Sequence, residues 1–286
     1  MDLCLNRATL PLNTPATEVV LAAHAAGFGG IEMSARRLLE AVQSERKVRE
    51  LITGGGITPV HGGWSIRLHW ERERFNQALP TVASEMAAVA RLGSRSGALV
   101  LPRKAPASGQ ALPHRDELID RMRLVGDLAA NQGLNLVIEF NGLRPKDPPE
   151  CGYRTLSQTL ELVHETGCSN IGFLVDSYHW HASGGTEEEI AAIPVDVPMF
   201  VHLNDAPNLS VDALDDSMRV LPGHGCIDLS ALLSGLDRRC YSGPLSIELK
   251  NPDLHSKPAF EAAKLAYDAG IQLLRRFRQR ETPATA

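Results

Sequence analysis

Four polar residues stand directly after short aliphatic runs, where a buried strand would end. They are Glu139 in LNLVIEFNG, Asp176 in IGFLVDSYHWH, His202 in MFVHLND and Glu248 in GPLSIELKNP. A carboxylate in such a place is costly to bury without a partner. A divalent cation supplies that partner, and three carboxylates with one imidazole suit Mn²⁺, Mg²⁺ or Co²⁺, with Zn²⁺ as an alternative. The pattern predicts one divalent metal ion, with Mn²⁺ as first choice, although any single one of these residues could instead be buried and hydrogen-bonded.

Other polar residues near these positions are candidates for contact with a substrate. His179 and His181 follow the aspartate in DSYHWH and could bind substrate hydroxyls or orient the metal ligands, or else pack beneath the loop. Arg219 precedes LPGHG in a long polar stretch. Its guanidinium could donate hydrogen bonds to a substrate oxygen, or form a surface ion pair with Asp215 or Asp216.

Eight short apolar runs separated by helical patterns must position these residues. This rhythm is typical of parallel strands joined by crossover helices. The predicted strands are near Leu3–Asn6, Gly30–Met33, Ile57–Val60, Ala98–Leu101, Leu134–Phe140, Ile171–Val175, Met199–Leu203 and Leu245–Leu249.

Helices are predicted from apolar residues at three- and four-residue spacing in Thr17–Ala26, Pro80–Leu92 and Lys257–Phe277. Thr14 before Pro15 predicts an N-cap. The glycines that follow helical patterns predict left-handed C-caps at Gly27, Gly133 and Gly167.

Eight strand–helix units of about 30 residues account for nearly the whole chain, which predicts one (β/α)₈ TIM barrel, an α/β fold, over residues 1–286 with ETPATA as a tail. A doubly wound open sheet is disfavoured because LNRATLPLN, not G-x-G-x-x-G, follows the first strand. In a barrel the carboxyl ends of the strands form the active face. The four polar residues would therefore meet there.

Composition limits the classes of partner. The chain has 286 residues, 43% of them hydrophobic and 22% charged, and a formal net charge of -5. Scattered Lys and Arg residues give no basic footprint for nucleic acid or an anionic membrane. MDLCLNRATLPLN lacks a leader pattern, and the five cysteines contain no C-x-x-C pair, so we expect a cytoplasmic protein without disulfides. The oligomeric state, including a homo-oligomer, is left open.

These motifs together resemble the sugar phosphate isomerase/epimerase family, the xylose-isomerase-like TIM barrels, and within it the inosose isomerases. The resemblance runs from CLNRATL through IEF, DSYHWHASGG, HLND and LPGHGCIDL to SIEL, essentially the full chain. It implies that Glu139, Asp176, His202 and Glu248 bind the metal, and that Glu139 and Glu248 act as the acid–base pair. It further implies isomerisation or epimerisation of a keto-sugar or keto-cyclitol, an inosose-like small molecule, through an enediolate.

The sequence departs from the family pattern in the expected substrate pocket. His61 in PVHGGW and Lys104 in LPRKAP are further candidates for contact with the substrate. Arg103, Lys104 and Lys250 could accept a carboxylate or phosphate, or be solvated charges at the rim.

Other functions remain open at this point. The same intermediate can expel a β-hydroxyl, so a dehydratase acting on 3-dehydroshikimate or inosose is the nearest alternative. A metal-dependent endonuclease would need a basic groove, which the acidic balance does not favour. A non-catalytic subunit of a larger enzyme is the remaining alternative.

Overall fold

A parallel sheet of eight strands forms the centre of the protein. The computed structural model describes residues 1–102, 112–142 and 153–281. The strands are β1 Leu3–Asn6, β2 Gly30–Glu32, β3 Thr58–His61, β4 Ser96–Val100, β5 Asn135–Glu139, β6 Ile171–Asp176, β7 Met199–Leu203 and β8 Leu245–Ile247. Their spatial order is β3-β2-β1-β8-β7-β6-β5-β4, and every pair in that order is parallel.

The two outermost strands of that order also meet. The backbone N–H of Ala98 in β4 donates to the carbonyl of Gly62, next to β3, at 3.0 Å, and Gly63 forms a parallel bridge with Ala98. This contact closes the sheet, so the predicted (β/α)₈ barrel is confirmed.

Helices surround the barrel and connect its strands. They are α1 Ala16–Ala26, α2 Ala35–Ser44, α3 Arg46–Thr53, α4 Arg72–Arg91, α5 Arg115–Ala130, α6 Leu156–Thr166, α7 Ser177–Ala182, α8 Glu187–Ala191, α9 Leu229–Arg238, α10 Pro252–His255 and α11 Ala259–Glu281. None of those in the described ranges combines the length and apolar character that crossing a lipid bilayer requires.

Alternation along the strands separates an inner from an outer face. Side chains two residues apart on a strand point to the same side. Val137, Leu174 and Phe200 form a small apolar cluster apart from the main core, which marks them as the barrel interior. The residues two positions further on are Glu139, Asp176 and His202. Strand geometry therefore places three of the four predicted ligands inside the barrel, one layer above this apolar cluster.

Two predicted helix starts are wrong. Helix α1 begins at Ala16, and Pro15 occupies its cap position, so Thr14 is not the N-cap. Helix α4 begins at Arg72, not near Pro80, and runs through that proline. Burial of Phe75 and Val82 on the same helix outweighs the backbone hydrogen bond that a proline removes. The left-handed C-caps at Gly27 and Gly167 are confirmed, with φ values of 105° and 66°. The C-cap predicted at Gly133 is wrong, because Asn131 caps α5, although Gly133 has a φ of 66° in the turn that follows.

Candidate metal centre

The structure brings the four predicted ligands together at the carboxyl ends of neighbouring strands. Glu139 ends β5, Asp176 ends β6, His202 lies in β7 and Glu248 directly follows β8. One ligand atom from each lies within 4.8 Å of the other three, and all four residues are buried. From Nδ1 of His202, the nearest oxygens of Asp176 and Glu248 are 3.5 Å away and that of Glu139 is 3.8 Å away.

The imidazole of His202 is oriented by Glu32, a residue that the sequence interpretation missed. Nε2 of His202 lies 3.0 and 3.1 Å from the two carboxylate oxygens of Glu32. The hydroxyl of Ser246 donates to the same carboxylate at 2.6 Å. A carboxylate can only accept a hydrogen bond here, so the Nε2–H of His202 donates to Glu32 and Nδ1 faces the cluster. Burial lowers the pKa of His202, but the charges of Glu32 and Glu248 raise it well above its usual value, so the ring is cationic and a bound metal ion would replace the proton on Nδ1. A carboxylate that fixes the tautomer of a histidine in this way is common in metal sites.

Asp176 is held by both of its oxygens. Oδ1 accepts the backbone N–H groups of Tyr178 and His179 at 2.9 and 3.1 Å, which makes Asp176 the N-cap of α7. Oδ2 accepts the side-chain amide of Asn204 at 3.1 Å. Burial raises the pKa of Asp176, but the charge of Arg219 more than offsets this, and the pKa lies well below its usual value. Asp176 is therefore ionised and rigidly placed.

Arg219 is a buried part of the cluster and not a surface residue. Its side chain is fully buried, and Nη1 donates to Asp176 at 2.8 Å and to Glu248 at 2.7 Å. Nη2 reaches Asp216 at 3.3 Å, so the predicted ion pair with that aspartate exists, but below the surface. The surrounding carboxylates raise the pKa of Arg219, although burial opposes them. The arginine remains charged and neutralises part of the acidic cluster.

His179 lies beside Arg219 and is uncharged. It is buried, and its Nε2 is 3.4 Å from Nη2 of the arginine. Burial lowers the pKa of His179 to about 4. Because a guanidinium can only donate, Nε2 accepts and Nδ1 carries the proton. Nδ1 is buried without a hydrogen-bond partner among the described residues, which leaves one N–H donor available in this part of the site.

Asp205, also missed from the sequence, fixes the loop that carries Arg219. Its carboxylate accepts four backbone N–H groups at 2.8–3.0 Å, those of Ala206, Gly223, Gly225 and Ile227. Gly225 is required because a Cβ there would lie 2.1 Å from the carbonyl oxygen of Ala206. A backbone bridge between Asp205 and Val220 closes the base of the loop. The segment L-P-G-H-G-C-I thus folds around the carboxylate of Asp205, and we call this arrangement the Asp205 clamp.

The two glutamates of the cluster differ in electrostatic surroundings. Burial raises the pKa of Glu139 to about 8, with His202 opposing the rise and Glu248 and Asp176 adding to it. Burial also raises the pKa of Glu248, but the charges of His202 and Arg219 outweigh it, and the pKa falls below its usual value. Glu139 therefore has less compensating positive charge around it than Glu248 has, and it holds its proton to a higher pH.

The residues present fit a divalent cation. Oxygen and nitrogen ligands bind such ions at about 2.0–2.6 Å, so atoms within 4.8 Å of one another can all reach one ion. Nδ1 of His202 is buried without a hydrogen-bond partner among the described residues, which is the arrangement expected of a ligand nitrogen. The raised pKa values of Glu139 and His202 place protons on these two residues near neutral pH, and a divalent ion would replace those protons.

The remaining predicted residues are less central. The half-buried His181 lies with Nε2 4.0 Å from the sulfur of Cys226. His61 is the last residue of β3, paired in register with Glu32. Lys250 has its Nζ 3.8 Å from Asp216. Arg103 and Lys104 lie outside the described residues.

Comparisons with known proteins identify the family to which the fold belongs. Residues 20–277 match the family model described as the xylose isomerase-like TIM barrel. An inosose isomerase of Halalkalibacterium halodurans is 33% identical over 150 residues, which is 52% of this chain and 51% of that protein. A 3-dehydroshikimate dehydratase of Pseudomonas aeruginosa is 30% identical over 289 residues, 98% of this chain but 43% of that protein.

The chain therefore spans about half, or less, of the length of these curated relatives. Among solved structures, that of the IolI protein with a bound zinc atom superposes with a TM-score of 0.82 at 24% identity, covering 97% of this chain and 99% of the other. At that identity the likeness supports the fold. With the family model matching most of its residues, the chain belongs to the xylose isomerase-like TIM barrel family.

Proposed function

We propose that this protein is a divalent-metal-dependent isomerase or epimerase that moves a proton beside the carbonyl of a keto-sugar or keto-cyclitol, an inosose-like small molecule. The observation that carries the proposal is the cluster of Glu139, Asp176, His202 and Glu248, in which two glutamates from strands three positions apart face one centre. A family likeness to an inosose isomerase supports the same chemistry. Mn²⁺ is the ion we favour because three of the four ligands are carboxylates.

A divalent ion bound by the four residues would polarise the substrate carbonyl and make the neighbouring C–H more acidic. The protein must then supply a base to remove that proton and an acid to return it. Glu139 and Glu248 fill these roles in the proposal, because each approaches the centre from a different side of the barrel. Proton return to the other carbon gives isomerisation, and return to the opposite face of the same carbon gives epimerisation.

The other buried polar groups would orient the substrate. Four partners hold the guanidinium of Arg219, so its one remaining donor among the described contacts, Nε–H, has a defined direction; the partners are Asp176, Glu248, His179 and Asp216. The free N–H of neutral His179 can donate to a substrate oxygen. Both side chains are buried, so each bond they make to substrate would be shielded from water.

A dehydratase is the second candidate, favoured by the alignment that covers 98% of this chain with a 3-dehydroshikimate dehydratase. Its first step is the same removal of a proton beside a carbonyl. In its second step the electron pair left on carbon forms a C=C bond as the β-hydroxyl departs, protonated by an acid, as water. The same pair of glutamates can serve both reactions.

The decisive experiment is an NMR assay in D₂O with inosose, a ketohexose and 3-dehydroshikimate, using protein supplied with Mn²⁺. We expect deuterium to enter the carbon beside the carbonyl of at least one substrate. A new ketone or an inverted centre supports the isomerase, and loss of water supports the dehydratase. The matched control is Glu85→Gln, since Glu85 is a buried glutamate bonded to Ser65, outside the cluster. Absence of exchange from every substrate, with metal bound, would refute the proposal.

A further inference from the structure

A cavity lies beside the metal cluster, at the carboxyl ends of β1, β2 and β3. It has a volume of about 390 Å³, and its lining includes Asn6, Arg7, Glu32, Ser34, Arg37 and Gly63. Glu32 connects it to the cluster, since the same carboxylate accepts the Nε2–H of His202 at 3.0 Å. The cavity is therefore one residue away from a predicted metal ligand, on the face where the substrate would enter.

Arg7 is built firmly into one wall of this cavity. It begins a single 3₁₀ turn after β1, and Thr9 in that turn donates to the carbonyl of Ile247 at 2.7 Å and accepts the N–H of Leu249 at 3.1 Å. The half-buried guanidinium donates to backbone carbonyls of the following loop, including that of Leu10 at 3.4 Å. Its Nε is buried without a hydrogen-bond partner among the described residues. The bonds to Leu10 and Leu12 use two of the four Nη–H groups, so Arg7 keeps donor capacity that the described residues do not use.

Arg37 enters the cavity from the first turn of α2. That turn contains no acidic residue, and the side chain of Ser34 makes no capping bond. A cation at the N-terminus of a helix meets the positive end of the helix dipole, which is unfavourable. Its neighbour Arg36 is compensated by Glu40, at 3.0 Å. No described acidic group lies within ion-pair distance of Arg37.

The described residues supply no ion pair for the two positive charges of this cavity, those of Arg7 and Arg37. Burial lowers the pKa of Arg7, and the charge of Arg37 lowers it further, which means that the two guanidinium groups repel each other. Glu32 is the one acidic residue among the described residues of the lining, and its carboxylate is already bonded to His202 and Ser246. Two arginines held together without a counter-charge form a site that an anion would stabilise.

We propose that Arg7 and Arg37 form a subsite for a compact anionic group of the substrate, a carboxylate or a phosphate. The inference rests on the proposed function, because it assumes that the substrate binds at the metal cluster and extends over Glu32 into this cavity. It narrows the substrate class to acidic keto-sugars or keto-cyclitol acids. Neutral polyhydroxy ketones would bind less tightly because the two arginines would stay unpaired.

The test uses ligand pairs in which one member carries an anionic group and the other carries a neutral ester or hydroxyl at the same position. Binding of shikimate and its methyl ester, and of fructose 6-phosphate and fructose, would be measured calorimetrically with the metal-loaded protein. We expect the anion of at least one pair to bind about tenfold or more tightly than its neutral partner. A preference in the first pair identifies a carboxylate, and one in the second pair a phosphate. Equal binding within both pairs overturns the proposal.

Variants then assign any preference to the cavity. We expect Arg37→Gln to reduce the preference to within about twofold, and Arg7→Gln provides a second measurement. Arg36→Gln removes the same charge one residue earlier, on an exposed side chain paired with Glu40, and should keep the preference. A preference that persists in both Arg37→Gln and Arg7→Gln overturns the assignment.

This outcome is separable from that of the proposed function. Wild-type protein that exchanges the proton of a neutral ketone but shows no anion preference retains the proposed chemistry and refutes the subsite. Protein that prefers the anion, loses that preference in Arg37→Gln and exchanges no proton retains the subsite and refutes the proposed chemistry.

Discussion

Substitution of Glu32 should weaken metal binding although Glu32 is not a ligand. Its carboxylate accepts the Nε2–H of His202 at 3.0 Å and the hydroxyl of Ser246 at 2.6 Å, and all three groups are buried. Glu32→Gln keeps an acceptor for Nε2–H but removes the negative charge that favours this tautomer. Loss of such a partner lowers metal affinity by about 10–100-fold, or about 1.4–2.7 kcal/mol. We expect the loss of metal affinity in Glu32→Gln to lie near the lower limit of this range, about 10-fold.

The loss of metal affinity in Glu32→Ala should lie near the upper limit of that range. It leaves the Nε2–H of His202 and the hydroxyl of Ser246 buried without an acceptor, which should also reduce the free energy of unfolding by about 1–3 kcal/mol. With Nε2 unpartnered, the ring can move its proton to Nδ1, the nitrogen that faces the cluster. The order of metal affinity is therefore wild type, then Glu32→Gln, then Glu32→Ala.

The assay is competition for Mn²⁺ or Zn²⁺ against a chelating dye, after the protein has been freed of metal. Circular dichroism would establish that each variant is folded. Glu85→Gln provides the matched control, since it makes the same change in a buried glutamate that bonds Ser65. If folded Glu32→Gln and Glu32→Ala both bind metal as tightly as the control, Glu32 does not orient His202 for a metal.

Three further outcomes follow from the cluster and its loop. Glu248→Gln and Glu139→Gln each keep an oxygen ligand for the metal but lose the basic carboxylate. The rate at which the substrate proton exchanges with solvent, measured by NMR, should therefore fall at least about 10²-fold while some metal remains bound. Exchange at the wild-type rate in either variant would falsify the role of that residue as a base. Arg219→Met leaves two buried carboxylates without their arginine. The free energy of unfolding, measured with urea in the presence of a chelator, should therefore fall by about 3–5 kcal/mol. An unchanged urea midpoint would contradict the ion pairs described. Asp205→Ala should reduce the free energy of unfolding by about 3 kcal/mol, because four backbone N–H groups, two of them in buried hydrogen bonds, lose their acceptor. The exposed Asp212→Ala should reduce it by less than about 0.5 kcal/mol, and equal midpoints for the two variants would rule out the clamp.

The barrel and the four clustered residues could be predicted from sequence because each of the four closes an aliphatic run. Buried parallel strands have continuous apolar sequences, so a charged residue at their carboxyl end is conspicuous. Glu32 gives the same signal in GIEM, but its strand has three residues and begins with a glycine, Gly30, so the aliphatic run before Glu32 is too short to stand out. A charged residue at the end of an aliphatic run is thus present at Glu32 as well, but its run is shorter than the others.

Asn204 and Asp205 could not be recognised in the same way. In HLND they follow the strand like ordinary loop residues, yet both are buried. Their partners are Asp176 and the backbone around Gly225, which the fold brings near from elsewhere in the chain. Helix starts failed for a different reason, since local signals such as Thr14 and Pro80 were overridden by packing of the helix on the barrel. Lys104, a predicted substrate contact, lies outside the described residues and stays a prediction.

The clamp around Asp205 has a consequence for how this protein could be diversified. Because the Asp205–Val220 bridge joins both ends of the intervening segment, residues 207–215 form a closed ring whose stem does not depend on its length. Arg219 and Asp216 stand at the foot of that ring and are held by the cluster itself. Leu214 is buried in the core and Asp215 caps the turn that carries Asp216, so these two residues belong to the fixed part. Residues 208–213 can therefore be shortened, lengthened or exchanged as a cassette, which would alter what lies above the site while the metal ligands keep their positions.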